Sequence, residues 1–167
     1  MGNSPQMPLA LVGSLWYSIL MIERDKKKIA DILEQHGVLV GYLFGSAAHG
    51  TMGPHSDIDV AVLFDDKEVP EEKQLDEKFK ISDEITGVFK VEQTDVINLL
   101  TTTDPLIKYI AVFSGELIFQ RDKRERFALE QKVVRDYENS RELRRIARSV
   151  MKSQLQDGSF GKFIKTI

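Results

Sequence analysis

Asp57 and Asp59 stand one residue apart at the head of an apolar run, in the stretch SDIDVAVLF from Ser56 to Phe64. Side chains alternate along a strand, so both carboxylates fall on one face while Ile58, Val60 and Val62 take the other. The apolar face goes to the core and leaves two acids together on the open face. Like charges that close raise one of the two pKa values unless a cation sits between them. An oxygen-bound divalent cation such as magnesium resolves the conflict most simply, and carboxylate-held magnesium usually works on a phosphate-bearing substrate. A solvated strand end would also carry a lone D-x-D.

The turn upstream separates these readings. Gly45 and Ser46 follow directly after the apolar run VLVGYLF (Val38 to Phe44), and ten residues separate Ser46 from Asp57. Glycine lets the backbone approach a ligand closely, and the amides and the Ser46 hydroxyl that follow can point at phosphate oxygens. Gly50 allows a second tight bend. Strand, Gly-Ser turn and Asp-x-Asp together place an anion cradle opposite a metal site. GSAAHGT also has the G-x4-G-T outline of a P-loop, but the lysine that reaches the β and γ phosphates is missing.

The elements that position these residues are a mixture of helix and strand. Ile29, Ile32 and Leu33 recur at helical spacing between Glu23 and His36, with Gly37 as the stop. Strands are expected over Val38–Phe44, Asp57–Phe64 and Val88–Leu99, with a short one at Glu116–Phe119. A helix is expected over Pro70–Ile85 with Pro at its first position. Asp104 as N-cap and Pro105 mark a shorter helix that ends before Gly115. From about Lys123 to Met151 one long helix is expected, with Leu143, Ile146, Ala147 and Val150 on one face. The fold class is therefore α/β (α+β): a small mixed sheet with helices on one face and a long C-terminal helix.

At 167 residues the chain is long enough for one domain with a real core. Its net charge of −3 gives no prior for nucleic-acid binding, and direct binding of nucleic acid is not expected. The absence of cysteine excludes disulfides, thiolate nucleophiles and sulfur-ligated zinc, and suits a cytoplasmic location. Leu9 to Ile22 is apolar, but its fourteen residues fall short of the ~20 of a membrane span, and no membrane partner is expected. Residues 1–20 read as an extension, 21–120 as the core and 121–167 as a C-terminal helix and tail. The extension is expected to contact another subunit or partner, or the back of the sheet. His36 and His55 read as plain surface residues.

LFGSAAHG (Leu43 to Gly50) and SDIDVAVLF, at that spacing, resemble the minimal nucleotidyltransferases of the DNA polymerase β-like superfamily, over about Met21 to Phe119. The resemblance implies a nucleoside triphosphate substrate, ATP here, two Mg2+ ions, and transfer of the nucleoside monophosphate to a hydroxyl with release of pyrophosphate. It implies that Gly45 and Ser46, with Gly50 and Ser56, hold phosphates and that Asp57 and Asp59 hold the metals. The family's third carboxylate falls on Asp95 in TDVINL (Thr94 to Leu99), with Glu92 in reserve. His49 stands where many members carry Arg.

The small stand-alone members are often antitoxins that adenylylate a tyrosine of a HEPN-type RNase toxin, so such a toxin is the partner the resemblance implies. The alternatives are a small-molecule, aminoglycoside-like nucleotidyltransferase and a catalytically weak partner-binding module. From Arg121 to Arg148 there are ten basic and six acidic residues, so this helix is a basic element on an acidic body, compatible with a docking surface.

Overall fold

The structure, a computed structural model, describes residues 24–48 and 57–161. The N-terminal extension 1–20, His49, Gly50, His55 and Ser56 lie outside the described residues. The first helix, α1, occupies residues 24–35 and is followed by Gly37 at φ +68°. Strand β1 (Val38–Phe44) runs into a single helical turn, α2 (Gly45–Ala48). Strand β2 (Ile58–Phe64) returns antiparallel to β1. Helix α3 (Glu71–Phe89) then crosses over to β3 (Thr94–Asn98), which pairs parallel with β2. Helix α4 (Pro105–Phe113) leads to β4 (Glu116–Gln120), antiparallel on the other side of β1. The sheet order is β3-β2-β1-β4, and α5 (Lys123–Asn139) and α6 (Arg141–Gln156) follow.

Two apolar layers sandwich the sheet. Val60, Val62 and Phe64 of β2 face Ile29, Ile32 and Leu33 of α1 and Ile81 and Ile85 of α3. This is the helical face expected from the sequence. The alternate residues Ala61 and Leu63, with Val40 and Tyr42 of β1, meet Ala111 and Val112 of α4 and Leu129 and Val133 of α5. Helices therefore cover part of the second face as well, because its strand residues are apolar too. No helix among the described residues is long and apolar enough to cross a membrane.

Three expectations are corrected. The third strand begins at Thr94 rather than Val88, because α3 runs on to Phe89, whose ring packs against the core that Ile81 and Ile85 enter. Lys90, in the left-handed region at φ 54°, then closes the helix by donating its N–H to Thr86 O. Ser82 Oγ donates to Thr94 O at 2.6 Å and Thr86 Oγ1 to Thr94 Oγ1 at 3.0 Å, so α3 holds the start of β3 directly. The long C-terminal helix is broken at Ser140, whose Oγ donates to Tyr137 O at 2.8 Å. Arg144 reaches back across the break, donating to Tyr137 O and Ser140 Oγ and lying 3.6 Å over the Tyr137 ring. Finally, His36 is not a plain surface residue. Its Nδ1 lies 2.7 Å from Glu77 Oε1 and its Nε2 2.9 Å from Glu84 Oε2, tying the end of α1 to α3.

Tyr42 gives the fold a test in alkali. It is 2% exposed, and its hydroxyl donates to Glu130 Oε1 at 3.2 Å. Burial first, and the Glu130 charge second, push the phenol well above its ordinary 10.0. The unfolded phenol ionises near pH 10 while the folded one stays protonated, so Tyr42 contributes stability that is lost as pH rises above that point. Urea unfolding between pH 10 and 12 should show stability falling by up to about 1.4 kcal/mol per pH unit from this residue. Tyr42→Phe should remove that component of the slope; an unchanged slope would show that Tyr42 does not carry it.

Candidate active site

β1 ends on Leu43 and Phe44, and the chain turns at Gly45 with φ +68°, a left-handed conformation that favours glycine. The reason for glycine is also steric. A Cβ at Gly45 would lie 2.1 Å from Asp59 Oδ2, so the Asp59 carboxylate sits against the bare α-carbon of the turn. Ala47 is buried in the core and anchors the turn, leaving Ser46 half-buried beside it.

Asp59 projects from β2 on the face away from Val60 and Val62, as alternation requires. It is the register partner of Asp95 across the parallel β2–β3 ladder, and Asp57 precedes it on the same face. Asp57 and Asp95 are exposed, Asp59 half-buried. Burial, then the charge of Asp95, then that of Asp57, hold the Asp59 carboxyl above its ordinary range. The structure thus brings together Gly45, Asp57, Asp59 and Asp95. Glu92 lies before β3, exposed and outside the Asp59–Asp95 ladder.

Asp57, Asp59 and Asp95 supply oxygen donors of the kind a hard divalent ion takes, and no cation is among the groups acting on Asp59. Among the described residues no group of three acidic or histidine side chains is arranged to hold a metal ion.

Residues 27–124 match the family model described as Polymerase beta, Nucleotidyltransferase. The chain belongs to that family. The match spans from α1 to the start of α5 and includes every candidate site residue. No curated protein matches the chain. Among solved structures, a crystal structure of a toxin–antitoxin with AMP-PNP is similar at a TM-score of 0.62 and 22% identity, covering 75% of this chain and 98% of that one. A mutant of the toxin–antitoxin MntA-HpeT, with two aspartates two positions apart changed to glutamate, gives 0.63 at 20% identity, covering 75% and 98%. A tyrosine-to-alanine mutant of the same pair gives 0.60 at 23% identity, covering 74% and 95%. At these identities the likeness is one of fold.

Sequence reasoning missed Lys108. It lies on α4 facing α5, 7% exposed, and burial holds its ammonium below the ordinary lysine range while Asp136 partly offsets this. A lysine within the pattern PLIKYIAVF reads as one polar interruption; only the position of α5 shows that it is covered.

Proposed function

We propose that this nucleotidyltransferase transfers AMP from ATP to a hydroxyl of a toxin protein, a tyrosine of a HEPN-type RNase, and so acts as its antitoxin. The observation that carries the reading is the Asp59–Asp95 register pair, completed by Asp57 and lodged against Gly45. Asp57, Asp59 and Asp95 would hold two Mg2+ ions, which supply charge neutralisation at the attacking and leaving oxygens of an in-line displacement. The Gly45–Ser46 turn, with Gly50 and Ser56, would hold the triphosphate. Asp95, exposed on the outermost strand, would accept the proton of the incoming hydroxyl at a carboxylate oxygen. The hydroxyl oxygen bonds to the α-phosphorus, the bond from that phosphorus to the bridging oxygen breaks, and pyrophosphate leaves. The toxin assignment draws support from the neighbours, whose structures are of toxin–antitoxins and, in one case, hold AMP-PNP.

The test uses the full chain, a cognate HEPN-type RNase, Mg2+ and ATP labelled at the α-phosphorus. The expected result is label on a toxin tyrosine with one pyrophosphate released per label, abolished by a chelator. Release of free phosphate without transfer would overturn the assignment. Transfer to an aminoglycoside but not to protein would move the enzyme to the small-molecule class.

A further inference from the structure

We propose that the cleft between α5 and α6 binds the phosphate backbone of a nucleic acid. The cleft has a volume of about 490 Å³ and is walled by Arg141, Arg144, Arg145, Arg148 and Lys152, with Tyr137 at its base. Helix α6 carries these five cations against one acid, Glu142, on a chain whose net charge is −3. The net charge therefore hides a local excess of the opposite sign, and electrostatic recognition depends on the local field.

The cations are not consumed internally. Arg145 donates to Glu142 at 3.0 Å and Arg144 bridges the helix break, but Arg141, Arg148 and Lys152 make no side-chain hydrogen bond or ion pair among the described residues. Arg141, Arg145, Arg148 and Lys152 recur at steps of four, three and four, forming a stripe along about 16 Å of helix at 1.5 Å per residue. One cation per turn suits a ribbon of repeated negative charges better than one compact anion. Leu143, Ile146 and Val150 point away from the stripe, so the cleft lacks the apolar centre of a protein–protein interface.

The stacking around Tyr137 decides how the ligand is read. One face of its ring lies on Tyr109, with centroids 4.1 Å apart, and Arg144 covers it at 3.6 Å. No ring face is left for a base, so binding is to phosphates and tolerant of sequence, with a strong salt dependence.

The test is fluorescence anisotropy of the full chain with labelled 20-nucleotide RNA and DNA of mixed sequence at 50–300 mM salt. Micromolar binding is expected, with a log–log salt slope near −3 for about four phosphates at ~0.7 per contact on a single strand. The comparison of RNA with DNA identifies the source of the backbone. Arg148→Gln/Lys152→Gln should reduce the slope by about 1.4 and weaken binding at least tenfold at 50 mM salt. Arg141→Gln alone should weaken it in the same direction. Circular dichroism should be unchanged, since these side chains hold nothing else in place. Equal affinity of the variants and the parent would overturn the proposal. Polyglutamate of matched charge binding as tightly as RNA would overturn it in favour of an acidic protein partner, and binding to anionic phosphatidylglycerol vesicles alone in favour of a membrane surface.

Discussion

Asp59→Asn is expected to abolish nucleotidyl transfer and, in metal-free buffer, to raise the melting temperature. On the proposed function, removing one of the carboxylates that would hold the ions forfeits several kcal/mol of transition-state stabilisation. At 1.36 kcal/mol per decade that is about 10³-fold or more in rate. The stability effect has the opposite sign. Burial and the charges of Asp95 and Asp57 all disfavour the ionised form of Asp59. A carboxyl whose folded pKa is raised contributes stability below its unfolded pKa and loses it as pH rises, so at neutral pH the ionised group works against the fold. Asparagine keeps the shape and removes the charge. A gain of about 2–4 °C is expected for each kcal/mol of repulsion removed in a chain of this size. Differential scanning fluorimetry with a chelator present measures it, and a lower melting temperature for the variant would show that the three carboxylates do not strain the fold.

Gly45→Ala should also lose activity, by about 10²-fold, while lowering stability. The added Cβ would meet Asp59 Oδ2 at 2.1 Å and Cγ at 3.0 Å, and the residue would sit at φ +68°. A non-glycine residue held in a sparsely populated backbone region costs roughly 1–3 kcal/mol. Relief requires Asp59 to move, and misplacing a catalytic group by about 1 Å can cost 10²-fold in rate. The two substitutions act on the same contact from either side, so both should lose activity and they should differ in the sign of the stability change. Urea unfolding of both variants, read beside the transfer assay, tests this pairing. A fully active Gly45→Ala would separate the turn from the carboxylate.

Alternation within one strand was enough to place Asp57 and Asp59 together, since the period of a strand is a property of the backbone alone. Asp104 and Pro105 were legible for the same local reason, and Asp104 accepts from Leu106 N at 2.8 Å. The end of α3 was not, because Lys90 adopts a left-handed conformation normally marked by glycine, and the core beneath Ile85 and Phe89 favours the extra turn. The break at Ser140 was hidden because it depends on Arg144, a full turn further on, folding back over Tyr137. His36 looked solitary because both its carboxylate partners come from α3, more than forty residues away in sequence. For His36 the deciding groups are remote along the chain but adjacent in space; for Lys90 and Ser140 they are close in sequence but carry no residue type that marks the turn.

The parallel ladder between β2 and β3 acts as a ruler. Adjacent strands lie about 4.8 Å apart whatever side chains they carry, so the backbone alone sets the separation of Asp59 and Asp95. Substitution elsewhere cannot stretch the interval between their α-carbons by degrees, although a side chain can still be pushed aside on its own backbone position. A slip of one residue would bring Thr94 or Val96 opposite Asp59 and swing Asp95 through the sheet toward α3. The backbone of the acid pair is therefore quantised: the two positions stand side by side or on opposite faces, with no intermediate register, and any change of register has to pass through the loss of β3 from the sheet.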